Sequence, residues 1–238
     1  MNVRVTDRDL RILVKCGICR WLSTAQIQRL YFPKASPNAV QKRLRKLADD
    51  GYLRAYRENP MAEVLHSVGP KGRPLVEETG IEVASGTAPP KQEDHLLGIN
   101  TVRIALETNN VPLVYFFAAW HLAVIGWSFP VIPDAIFAIS GSQRQRFLLE
   151  YDRNTEPSKV ILAKLRAYAQ GIPDFRFDAV LLVTEEERRL EQLGREIRRE
   201  GICTTCLATN LSEVERAPLD AVFIDLSDGT RRPMLSSR

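Results

Sequence analysis

Two apolar runs, "VIPDAIFAIS" and "RFLLEYD", joined through the turn-forming stretch Ser140-Gly141-Ser142-Gln143, constrain this chain more than any other feature. Side chains alternate faces along a strand, so Asp134, Ile136 and Ala138 share one face, and Leu148, Glu150 and Asp152 share one face of the partner. Folding about position 142 sets Asp134 opposite Glu150. One more residue of turn would pair Asp134 with Asp152 instead. In either register, carboxylates meet at cross-strand distances of roughly 5 Å. Such a pair is tolerable when solvated, when one member holds a proton, or when a divalent cation sits between them.

The elements around this hairpin repeat a βα pattern. "DHLLGINTVRIALETN" is an amphipathic helix with Leu96, Ile99, Val102 and Leu106 on one side, and "VYFFAAWHLAV" reads as strand. After the hairpin come the helix "SKVILAKLRAYAQ", the strand "FDAVLLVT", and a helix "EEERRLEQLGREIRREG" for which Thr184 and Glu187 form a capping box. "ICTTCLAT" and "AVFIDLS" complete a mixed sheet. The expected fold class is α/β, α+β overall.

The first third differs in composition. Residues 1–74 carry 15 Lys and Arg against 6 Asp and Glu, a balance of +9, whereas residues 75–238 carry 18 against 23, a balance of −5. The basic end is the anion binder of the two. Thr6 caps a first helix ending near Gly17, Ser23 caps the short "STAQIQRLYF", and Ser36 with Pro37 starts "SPNAVQKRLRKLADDGYL", which Gly51 stops. A strand, a turn at Asn59-Pro60 and a returning strand follow. On the third helix Val40, Leu44 and Leu47 face inward, leaving Asn38, Gln41, Lys42 and Arg45 on the outer stripe. Arg54 and Arg57 stand on the hairpin that follows.

Three short helices and a hairpin, carried by "LSTAQIQRLYFPKASPNAVQKRLRKLADDGYL", resemble a winged helix-turn-helix domain. That resemblance implies binding to double-stranded DNA, with Asn38, Gln41, Lys42 and Arg45 entering the major groove and Arg54 and Arg57 meeting phosphates. The expected organisation is 1–80 winged helix-turn-helix, 81–92 linker ("GIEVASGTAPPKQ" spans it) and 93–238 the α/β domain.

Pro133-Asp134 followed by Glu150-Tyr151-Asp152 resembles the PD-(D/E)XK, restriction-endonuclease-like fold. More narrowly, a winged helix joined to "PDAIFAI" and "LLEYDRNTEPSKVILAKLRAY" resembles the replication-relaxation family, associated with replication and mobilisation of plasmids and mobile elements. The resemblance implies Asp134 and Glu150 as ligands of Mg²⁺ or Mn²⁺, with Asp152 and Lys164 completing a catalytic set for nicking DNA. This chain departs from the pattern where a Lys is usual two residues after the Glu, since Asp152 stands there. Lys164, on the following helix, is the nearest substitute. Two readings stay open: a metal-dependent nickase, or a DNA-binding transcriptional regulator whose nuclease-like domain is inactive and serves dimerisation or partner contact. A homodimer is expected in the second.

Other chemistries lack support. Cys16/Cys19 and Cys203/Cys206 are CxxC pairs that formally allow a zinc site, but Cys203 and Cys206 point to opposite faces of an apparent strand, and free thiols in a reducing compartment are the simpler reading. His66, His95 and His121 show no metal spacing. No phosphate loop, nucleophile elbow or dinucleotide fingerprint occurs. No apolar run reaches the roughly 18 residues of a membrane helix, and "MNVRVTDRDLR" lacks the apolar stretch of a secretory signal. A cytoplasmic protein is expected.

Overall fold

The computed structural model describes residues 4–83, 92–124, 126–127, 129–141, 143–219 and 221–234. They divide into two compact units, Met1–Asn100 and Thr101–Arg238. Most of the expected linker, residues 84–91, lies outside the described residues.

In the first unit the order is α1 (Asp7–Cys19), β1 (Leu22–Ser23), α2 (Thr24–Tyr31), α3 (Pro37–Asp49), β2 (Leu53–Tyr56), β3 (Leu65–Val68) and α4 (Gly72–Glu77). Each of the first three helices begins where a side chain can accept its orphan amides. Thr6 and Asp9 form a reciprocal capping box on α1, Ser23 and Gln26 another on α2, and the Ser36 hydroxyl accepts from Ala39 N at α3. α1 runs two residues past the expected end at Gly17, which stays helical with Val76 packed against its Cα. The strands form an antiparallel sheet ordered β1-β3-β2, so the residues before α2 supply a third strand to the hairpin. Ile12, Leu13, Ile27, Val40, Leu44 and Leu47 are completely buried and make the core. Asn100 closes the unit by donating through Nδ2 to the carbonyls of Cys19 (3.1 Å) and Trp21 (2.9 Å).

One charge pair sits inside this core. Asp9 is fully buried and accepts from Thr6 N (2.8 Å), Thr6 Oγ1 (2.6 Å), Arg43 Nε (3.0 Å) and Arg43 Nη2. Arg43 thereby ties α3 to the start of α1.

Next in the chain is α5 (Glu93–Thr108), whose residues from Thr101 on belong to the second unit, followed by β4 (Leu113–Ala118), α6 (Ala119–Val124), β5 (Ala135–Ser140), β6 (Arg144–Asp152), α7 (Ser158–Ala169), β7 (Ala179–Thr184), α8 (Glu187–Glu200), β8 (Cys206–Asn210), α9 (Leu211–Arg216), β9 (Val222–Asp225) and β10 (Arg231–Pro233). The sheet of the second unit is mixed, ordered β10-β9-β8-β7-β6-β5-β4. β6, β7 and β8 are parallel neighbours joined by the crossover helices α7 and α8, and the flanking pairs are antiparallel. The hairpin has the register expected of a fold about position 142: Ala135 pairs with Leu149, Ile136 with Leu148, Ser140 with Arg144. Ser142 itself lies outside the described residues. Ile136, Leu148, Val180, Leu182, Cys206 and Ala208 pack with Leu162, Leu165, Leu193 and Ile197 of α7 and α8 in one core.

Three local expectations change. The run "AWHLAV" is helical rather than strand, because the chain leaves the sheet at Ala118, where His121 Nδ1 accepts the Ala118 amide (3.1 Å) and caps the turn. Thr184 does not cap α8: it is the last residue of β7, fully buried, and its hydroxyl donates to Glu186 O (3.0 Å), so the helix starts later. Cys203 lies exposed before β8 rather than within it.

The buried pair in the first unit gives a stability test. Burial works to raise the Asp9 carboxyl, but the bonds from Arg43 and Thr6 outweigh it and hold it below the usual range. A depressed carboxyl adds stability that is present above its ordinary pKa of about 4 and is lost as pH falls through the folded value. Arg43→Met leaves that charge without its cation, and a loss of about 2 to 4 kcal/mol in denaturant melts at neutral pH is expected, shrinking toward pH 3. An equal loss at both pH values would mean that the contribution is packing alone.

Candidate functional site

The acidic residues of the hairpin converge at the carboxyl end of β6, the end of parallel strands at which open α/β sheets place their ligand crevices. Alternation puts Glu150 and Asp152 on the face covered by α7 and α8, with Glu150 in register with Leu182 and Asp152 with Thr184. Both carboxylates are buried, at 1% and 3% exposure. Asp134 precedes β5 and is only partly buried. Its backbone amide donates to Leu149 O (3.0 Å), and its Oδ2 accepts from Tyr151 N (2.8 Å), which holds the side chain beside Glu150.

Glu150 takes its partners from α7. Lys164 Nζ donates to Oε2 at 2.6 Å and the Tyr168 hydroxyl to Oε1 at 2.5 Å. Residues four apart share a helix face, so this one spacing delivers both donors to the carboxylate. Asp152 is served by α8 instead: Arg189 Nε donates to Oδ2 at 2.6 Å, while its Nη atoms bond Ser158 Oγ (3.0 Å) and Glu156 O (2.7 Å). Asp152 Oδ1 accepts from Asn154 N (2.9 Å). Asp152 thus takes its bonds from Arg189 and Asn154, whereas Glu150 takes its own from Lys164 and Tyr168. Arg189 was missed, since a charge pair 37 residues apart leaves no local signal.

The charges are unevenly matched. Burial first, then the Asp134 carboxylate, push Glu150 up to about 7 against the opposing pull of Lys164 and Tyr168. For Lys164, burial lowers the ammonium's pKa, but the carboxylates of Glu150 and Asp134 outweigh it and raise the net value. Burial and Glu150 hold the Tyr168 hydroxyl protonated.

Among the described residues no group of three His, Cys, Asp or Glu side chains could hold a metal. Two facing carboxylates with hard oxygens do suit a Mg²⁺ or Mn²⁺ that keeps most of its water, the usual mode for magnesium.

In the first unit the outer stripe of α3 stands as expected: Asn38, Gln41, Lys42 and Arg45 are all exposed, and Arg45 Nε lies 3.9 Å from Asp49. Arg57 is exposed past the end of β2 and donates to Pro60 O (3.3 Å). Arg54 is partly buried and lines a cleft with Arg20 and Arg73. Cys16, Cys19 and Cys206 are buried free thiols. His66 is buried, pushed down to about 4 by that burial, and hydrogen-bonded to Thr24 (3.0 Å).

The chain thus joins a basic helical unit to a mixed α/β unit with an acid–lysine–tyrosine cluster at the end of β6. The family model described as replication-relaxation matches residues 16–173. The chain belongs to the replication-relaxation family. No curated protein and no solved structure matches it. No helix of the described residues is long and apolar enough to cross a membrane.

The cluster has a pH signature. A carboxyl raised on folding contributes stability that is present below its unfolded value of about 4.5 and is lost as pH rises through about 7. With chelator present, the wild type is expected to lose up to about 3 kcal/mol relative to Glu150→Gln between pH 5 and 7.5. A difference that does not change with pH would contradict the raised carboxyl.

Proposed function

We propose that this protein binds double-stranded DNA through its first unit and acts in the replication or mobilisation of plasmid or mobile-element DNA. The observation that carries the reading is the outer face of α3, where Asn38, Gln41, Lys42 and Arg45 project exposed from a helix whose opposite face, Val40, Leu44 and Leu47, is completely buried. Membership of the replication-relaxation family supports the same reading. In it the first unit acts as a winged helix-turn-helix, α3 being the recognition helix. Asn38 and Gln41 suit adenine edges, and Lys42 and Arg45 meet guanine or phosphate. Arg57 adds a phosphate contact from the hairpin.

For the full chain, Lys42→Ala with Arg45→Ala is expected to weaken duplex binding at least tenfold and to reduce the slope of log affinity against log salt by about two, one per lost phosphate contact. If Arg45 reads guanine instead, its part of the loss appears as about 1 to 3 kcal/mol of lost discrimination at one base pair. Unchanged affinity and slope in a salt titration would remove α3 from the interface.

A second reading adds chemistry, and the observation in its favour is that Lys164 reaches Glu150 although the usual position of the lysine holds Asp152. Asp134 and Glu150 would hold Mg²⁺ or Mn²⁺, which when bound activates water and neutralises charge on a phosphodiester. Lys164 would hold the scissile phosphate, and Tyr168 would fix the Glu150 carboxylate. This reading makes the protein a nickase of the PD-(D/E)XK type. Its inactive counterpart uses the same unit for dimerisation or partner contact. Supercoiled plasmid incubated with protein and Mg²⁺ or Mn²⁺ separates them: nicking that disappears in Asp134→Asn, which keeps an acceptor for Tyr151 N, supports cleavage. Binding without nicking supports the inactive form.

A further inference from the structure

We propose that the first unit carries a second anion site, a cleft that receives a terminal phosphate group, away from the face of α3. The cleft has a volume of about 320 Å³ and is lined by Arg20, Arg54 and Arg73 together with Cys16, Ser67 and Gly69. Its lining includes no residue of α3.

Three separate segments bring the guanidinium groups together. Arg20 follows the last residue of α1, Arg54 lies on β2 opposite Ser67 of β3, and Arg73 is in the first turn of α4. The loop between β3 and α4 is pressed against the start of β2, where a Cβ on Gly69 would lie 2.4 Å from Gly51 O and one on Gly72 would lie 2.3 Å from Tyr52 O. Only glycine permits that approach, and the approach is what brings Arg73 to the cleft.

The charge of the cleft is not consumed internally. All three arginines are partly buried. Among the described residues neither the Arg20 nor the Arg54 guanidinium makes a hydrogen bond or ion pair, and the Ser67 hydroxyl has no partner. Arg73 is met by Glu77 at 3.6 Å. The end of α1 does not account for the unpaired cations, since Cys19 O already accepts from Trp21 N (2.8 Å) and Asn100 Nδ2 (3.1 Å). Nor does Cys16, whose thiol burial keeps protonated. A guanidinium held partly out of water without a partner is costly, and a site that keeps two of them gains when an anion enters.

The surplus is about two positive charges, which matches a phosphate monoester at neutral pH. The volume, at the lower end of ligand pockets, admits such a group and not a duplex. Planar guanidinium forks and a hydroxyl are the donors that phosphate oxygens accept. The same chemistry is offered by a free nucleotide or by the phosphorylated end of a DNA strand. The site does not depend on duplex binding by α3.

The test uses the full chain in thermal melts with orthophosphate, with a nucleoside monophosphate, and with a terminally phosphorylated oligonucleotide beside its hydroxyl-ended twin, against chloride at equal ionic strength. A rise in melting temperature at about 10 mM small anion is expected, by mass action on the folded state. Arg20→Gln with Arg54→Gln should weaken phosphate binding at least tenfold while leaving the anion-free melting temperature unchanged. Arg54→Lys, which keeps charge but loses the fork, should weaken it less. Stabilisation by the phosphorylated oligonucleotide beyond its twin supports the site and names a DNA end; stabilisation by the nucleotide alone supports it and names a free nucleotide. No rise, a rise unchanged in the double variant, or a lower anion-free melting temperature in that variant overturns the proposal.

Discussion

A carboxylate buried in an apolar sheet face governs the second unit. Glu150 occupies a position that strand alternation would otherwise give to a residue like Leu148, and removing its charge from water costs several kcal/mol unless donors meet it. The requirement dictates what α7 must carry, and where. Lys164 and Tyr168, one turn apart, satisfy it and fix the register of that helix on β6. Two residues along the strand, Asp152 makes the same demand of α8 and is met by Arg189. Each crossover helix is thereby pinned to one central strand by a charged bond, while the apolar contacts around it supply most of the stabilisation.

The difference between the two pins separates structure from candidate chemistry. Asp152 and Arg189 are both buried, and the remaining guanidinium nitrogens bond Ser158 and Glu156. Glu150 shares its surroundings with the partly buried Asp134, and Lys164 is 24% exposed. A like-charged neighbour, a reachable cation and a carboxyl poised near neutral pH are what phosphate chemistry uses. In the first unit the contrast recurs between Arg43, spent on Asp9, and the exposed Arg45 two residues on, which lies 3.9 Å from Asp49.

Local rules made much of this legible in advance. Thr6, Ser23 and Ser36 marked helix starts because capping is decided within four residues, and of the two hairpin registers the sequence left open the strands take the one about position 142. Lys164 was expected only as the nearest substitute for the usual lysine, and its bond to Glu150 is a finding of the fold. What stayed hidden depends on distant partners. β1 is two residues long and exists only through its pairing with β3, α6 is an apolar run whose turn is set by His121, and Thr184 is claimed by the sheet before it can cap a helix. Arg189 and the cleft of Arg20, Arg54 and Arg73 are assembled from separate segments, so neither has a local pattern to read.

In the proposed function duplex DNA lies on the outer face of α3. Hydrogen exchange of the full chain, with and without a saturating duplex at moderate salt, tests it without any substitution. Slowed exchange over the first turns of α3, residues 37–45, and past the end of β2 near Arg57 is the predicted result, since their amides border the exposed side chains that meet the groove and its phosphates. Protection confined to residues 101–234, with α3 exchanging as it does in the free protein, would contradict the account.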